Sequence, residues 1–242
     1  LVDALEGDDL VVRIAAARAI ARIAAVDPAA VLPVADRLAP ALEAYNLWIS
    51  QNIATALAHA ARHAPESVAP LAFAHVRPGN RGPAERAATR NALTVIETAA
   101  TASPTSVESI LPTIVDLLVR PDPTPIAALR TLEAVAGTYP GLLTPAIPAL
   151  ERCVAERGKP TTVAIATMAR IAVADPYAGR TAVPTLTRHL TRRTADGELL
   201  AEALATVLTR YPAERRTVLS VLSTADGAGR LRAARRLTPR AT

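Results

Sequence analysis

Six Xaa-Pro steps recur along the chain at nearly constant spacing: Asp27-Pro28, Ala64-Pro65, Ser103-Pro104, Tyr139-Pro140, Asp175-Pro176 and Tyr211-Pro212, at intervals of 37, 39, 36, 36 and 36 residues. A period in this range marks a repeat architecture, in which each unit buries its apolar face only against its neighbours. Eight residues before each proline stand Ile20, Leu57, Ile96, Leu132, Met168 and Leu204. Five before stand Ile23, Ala60, Ala99, Val135, Ile171 and Val207, and eleven before Ala17, Ala54, Leu93, Leu129, Ile165 and Ala201. Offsets of three put these columns on one helical face. Past each proline a second apolar pattern follows, with Val34, Leu71, Ile110, Ala146, Ala182 and Val218 six residues on. Each unit therefore predicts a first helix starting just after the marker proline, a short turn, and a second helix ending before the next marker. Proline favours a first helical turn and disfavours helix at the residue before it. Turns are expected at 43–46, 120–123, 157–160 and 194–197, with a longer one at 77–83 that accounts for the 39-residue interval. Pro33, Pro70, Pro112, Pro145, Pro148 and Pro184 fall inside the first helices, which should be kinked or begin late.

Composition agrees with helices. Of 242 residues only six are aromatic and 54 are alanine, so small side chains do most of the packing, which suits close helix contacts and disfavours sandwiches and barrels. A lone cysteine, Cys153, excludes an intramolecular disulfide framework and makes a reducing cytoplasm the default compartment. It reads as an inert structural thiol. No run is apolar enough for a membrane span, and nothing resembles a signal peptide. The net charge of +5 is unevenly spread: the last 38 residues hold eight Arg against two acids, on a nearly neutral body.

The stretch Asp9-Leu10-Val11-Val12-Arg13-Ile14-Ala15-Ala16-Ala17 and the proline-containing Ile110-Leu111-Pro112-Thr113-Ile114-Val115-Asp116-Leu117-Leu118 resemble the HEAT-repeat (armadillo-like) family. Its units pair a proline-containing first helix with a second helix introduced by an Asp-x-x-Val-Arg turn. The later units lack the Val-Arg pair. The resemblance covers the whole chain and implies an all-α, right-handed α-solenoid of about seven helix pairs, forming a single domain over 1–242. It implies no activity, because such solenoids serve many roles. The ends at Leu1–Leu5 and Leu231–Leu237 look like incomplete units, so a longer parent chain or end-to-end self-association is expected.

In the family the second helices line the concave side, which makes their polar face the first candidate for a binding surface. Ten residues before the markers lie Arg18, Thr55, Thr94 and Arg130; six before lie Arg22, His59 and Arg170; fourteen before lie Gln51 and Arg90. They form a strip within about 40° of its centre on each helix, suited to a partner segment bearing carboxylates or phosphates. The columns that form this strip hold no aromatic anchor. Tyr45 and Trp48 read as packing over a turn between repeats, with a partner anchor as the alternative.

Chemistry-bearing patterns are sparse. His59 and His63 share a helix face with Glu66 nearby, but a metal site needs a further ligand, and no metal or cofactor is expected. His75 falls in an apolar column and reads as a buried or half-buried histidine bonded to backbone; His189, beside Arg188, reads as surface. Gly79-Asn80-Arg81-Gly82 reads as a connecting loop rather than an anion cradle. Arg232, Arg235 and Arg236 share a helix face, with Arg215 and Arg216 opening the preceding helix, and form a candidate phosphate patch. The leading expectation is a non-catalytic protein-interaction scaffold whose partner is another protein or the rest of a larger chain. A nucleic-acid-binding solenoid is the runner-up, and a helical-repeat DNA glycosylase-like enzyme the remote third.

Overall fold

The computed structural model describes residues 1–77, 82–119, 125–155, 161–192 and 196–237, and among these no strand occurs. The α-helices are α1 (Val2–Glu6), α2 (Leu10–Val26), α3 (Ala35–Leu38), α4 (Leu47–His63), α5 (Pro65–Phe73), α6 (Pro83–Ala102), α7 (Leu111–Leu118), α8 (Pro125–Thr138), α9 (Ile147–Ala155), α10 (Thr161–Ala174), α11 (Pro176–Leu190), α12 (Gly197–Arg210), α13 (Arg215–Thr224) and α14 (Gly227–Leu237). None is long and apolar enough to cross a membrane.

Several first helices begin late, the outcome expected of first helices with internal prolines. Tight 3₁₀ segments begin at four of the marker prolines, Pro28–Val34, Pro104–Ile110, Pro140–Ala146 and Pro212–Glu214, and the α-helix starts only afterwards. Pro65 and Pro176 instead occupy the first position of α5 and α11 directly. Two of the second helices, α2 and α4, start on polar caps, whereas α6 follows Gly82 and α12 follows Asp196 with no side-chain cap bond. Asp9 accepts from the N–H of Val11 and Val12 at 2.8 and 3.2 Å, and Asn46, one repeat later, accepts from Trp48 and Ile49 at 3.0 and 3.3 Å. Each satisfies amide donors that the first turn leaves without an intrahelical partner. The expected turns at 120–123 and 157–160, the first half of that at 194–197, and residues 78–81 of the longer one at 77–83 lie outside the described residues.

Contacts group into two compact units, Leu1–Ala134 and Val135–Thr242, the division falling inside α8. Within the first unit, α2 packs on α4 and α4 on α6, while α5 and the 3₁₀ segments pack against that row from the first-helix side. Within the second, α10 packs on α12 and α12 on α14, and α11 packs on α9 and α13 as well as on α10 and α12. Both units thus stack first helices on second helices. The six residues from Ile20 to Leu204 that stand eight before the markers are all buried, as are the six that stand eleven before. Ile23 is the exception in its column, 41% exposed, because α2 is the first of its row and has a full-length second helix beside it only in α4. The small residues permit close approach: a Cβ added to Gly179 would lie 2.6 Å from the Cβ of Ala172, where α11 crosses α10.

Candidate functional site

The polar strip can be followed side chain by side chain in the first unit. Arg18 and Arg22 on α2, Gln51 and Thr55 on α4, and Arg90 and Thr94 on α6 are exposed, and His59 is half-buried. Because α2, α4 and α6 pack in that order, these residues share one surface. Arg130 on α8 is also exposed, and its positive charge acts on Glu97. Burial pushes the Glu97 carboxyl above its ordinary range, Arg130 opposes that shift, and Glu133 adds to it. Arg170, half-buried, belongs to the second unit.

Two local features prepare this surface. The hydroxyls of Thr55 and Thr94 donate to the carbonyls of Gln51 and Arg90 one turn back, at 2.9 and 3.1 Å, so their protons are satisfied within the helix. Arg18, Arg22 and Arg90 have no ion-pair partner among the described residues. At the edge of the strip Asn91 is buried, and its Nδ2 finds no acceptor there. A buried donor left unpaired costs about 1–3 kcal/mol.

Sequence reasoning missed the strip's apolar end. Trp48 is 67% exposed and Tyr45 95% exposed, so neither packs over a turn between repeats. Trp48 lies in the first turn of α4, with Gln51, Thr55 and His59 following it at helical spacing, and Val11, 75% exposed, takes the equivalent place on α2. Both stand seventeen residues before a marker proline, seven before the column of Arg18 and Thr55, which is almost exactly two helical turns. That column was the available signal.

The remaining candidates are occupied by the fold. His75 is bonded through Nδ1 to Glu43 Oε1 at 2.9 Å rather than to backbone, and Arg77 reaches the same oxygen at 3.2 Å. The hydrogen bond from His75 is the main cause holding the Glu43 carboxyl below its ordinary range. Glu66 accepts from Ser103 at 2.9 Å. His189 is buried, 5% exposed, not on the surface, and burial, with Arg192 and Arg188 adding, pushes its pKa down to about 4. Its spacing of seven from the buried Ala182 places it on the inner face of α11. Cys153 is buried. Among the described residues no three metal-ligating side chains converge.

In the C-terminal patch, Arg232 donates to the carbonyl of Thr191 at 2.9 Å, and Arg236 donates to those of Leu190 and Arg192 at 3.3 and 3.4 Å. These carbonyls end α11 and lack intrahelical donors. The expected face of three free arginines is therefore reduced to Arg235, with Arg215 and Arg216 exposed on α13. An open concavity of about 480 Å³ lies in the second unit beside Tyr177, Arg180 and Glu214. Arg180 donates to Glu214 at 3.0 Å and stands 4.8 Å from the ring centre of Tyr211, which meets Tyr177 edge to face at 6.3 Å. These groups brace one another across the proline turns.

No family model matches the sequence, and no curated protein matches it. Among solved structures the chain is similar to an engineered protein determined by crystallography, at 18% identity and a TM-score of 0.48, over 98% of this chain and 93% of that one.

Proposed function

We propose that the chain is a non-catalytic protein-interaction module of HEAT-like helix pairs, a right-handed α-solenoid of about seven repeats whose second-helix face is the binding surface. The observation that carries this reading is the surface shared by α2, α4 and α6, where Arg18, Arg22 and Arg90 stand exposed and without ion-pair partners. The nearly constant spacing of the marker prolines and the buried columns support the repeat architecture. The engagement of His75, Glu66 and Arg180 in structural contacts, and the burial of His189, support a binding role over a catalytic one.

Selection of a random peptide library displayed against the intact chain tests the surface. Selected peptides should lose binding to Thr55→Trp, which fills the middle of the strip, and keep it on Tyr177→Ala. Peptides that bind Thr55→Trp as well as the parent overturn the reading.

A further inference from the structure

Charge in the first unit is sorted between the bodies of α2, α4 and α6 and the segments around them. Helices α2, α4 and α6 carry six arginines and two glutamates, and α2 and α4 carry no carboxylate at all. The other described residues up to Val119 carry ten carboxylates and two arginines, Arg37 and Arg77. Both arginines are already committed, Arg37 to Asp3 and Glu6 at 2.7 and 3.0 Å and Arg77 to Glu43. Arg13 donates to the carbonyl of Leu5, whereas positive charge with no ion-pair partner among the described residues stands on the polar strip at Arg18, Arg22 and Arg90. Beside it, at the N-terminal end of the same strip, stand the exposed apolar side chains of Val11 and Trp48.

We infer that this strip holds an acidic protein segment carrying a large apolar side chain, its carboxylates on Arg18, Arg22 and Arg90 and its apolar group against Trp48 and Val11. The inference rests on the second-helix face being the binding surface. Packed helices lie about 8–10 Å apart, so the row from α2 to α6 is about 16–20 Å across. An extended chain covers that width in about five or six residues at 3.3 Å each. Guanidinium groups recognise carboxylates through paired, charge-assisted hydrogen bonds, and an exposed tryptophan beside them is the residue type that most often anchors a partner. A nucleic acid suits the surface less well. It would meet few free arginines and a single indole for stacking, on a unit whose segments outside α2, α4 and α6 carry mostly carboxylates.

Fluorescence anisotropy on the intact chain decides the matter with four labelled probes. They are a dodecapeptide of Asp and Glu around a central Leu-Phe, its counterparts with Lys or with Gln in place of every acid, and an oligothymidylate. The acidic peptide should bind best and weaken as salt is raised. It should lose about tenfold or more on Arg18→Glu combined with Arg90→Glu, and again on Trp48→Ala. These residues are exposed, so the variants should keep the parent's circular dichroism and melting behaviour. Binding of the Gln or Lys peptide as tightly as the acidic one, lost on Thr55→Trp, overturns the acidic partner and leaves the binding surface standing. Peptide binding indifferent to Thr55→Trp overturns both. Preference for the oligothymidylate, or no peptide binding, overturns the inference.

Discussion

Single residues set the tolerances of this fold. Gly179 faces Ala172 across α10 and α11, and an added Cβ would lie 2.8 Å from the Ala172 Cα, which is backbone and has no rotamer to retreat into. Gly179→Ala should therefore destabilise by about 1–3 kcal/mol despite its better helix propensity. Gly137, in α8, has open space around it, and Gly137→Ala should stabilise by about 0.4–1 kcal/mol. Urea titration of the two variants reads both signs. His189 carries a pH dependence. Its folded-state pKa of about 4 lies below the ordinary 6.5, so between those values the unfolded chain binds a proton that the folded chain refuses. Stability attributable to this residue is intact above that window and falls as pH drops through it. The denaturation midpoint should fall less between pH 7 and 5 in His189→Gln than in the parent, and the His189 imidazole resonances should stay unshifted over that range.

At the scale of elements, the C-terminal helix is held by its charges as much as by its apolar side chains. Of α14, only Gly229 and Ala233 are buried, too little apolar surface to fix an eleven-residue helix. Arg232 and Arg236 supply the rest by donating to the carbonyls at the end of α11. Arg236 also lies directly over Gly197, where any larger residue would displace its guanidinium. Replacing both arginines by alanine should cost about 1 kcal/mol for each hydrogen-bonded arginine and abolish amide-exchange protection in α14 while leaving α10 protected. Arg235→Ala should leave that protection unchanged.

At the scale of the whole molecule, each unit buries its own columns of side chains, and the packing pairs join elements close in sequence. In a repeat protein, stability is approximately a sum of local terms. Leu57→Ala, at a fully buried position of α4, should cost about 2–5 kcal/mol and lower exchange protection in α2, α4 and α6, with α10, α11 and α12 nearly unaffected. Uniform loss across both units would contradict a local, repeat-wise fold.

Helix class, pairing of helices and the buried columns were legible in the chain alone, because they follow from the spacing of prolines and of apolar side chains, and such spacing is a property of the backbone helix. The positions of Arg18, Thr55 and Arg90 on one exposed face followed from the same periodicity. What periodicity does not encode is which neighbour covers a residue. Ile23 repeats a buried column yet is exposed for want of a neighbour, and His189 stands beside an arginine yet is buried. Trp48 has the chemistry of a core residue and lies open on the strip. Arg232 and Arg236 look like a free basic patch until α14 packs beside α11 and its unpaired carbonyls take them up. Those outcomes depend on contacts between residues distant in sequence, and only the tertiary structure decides them.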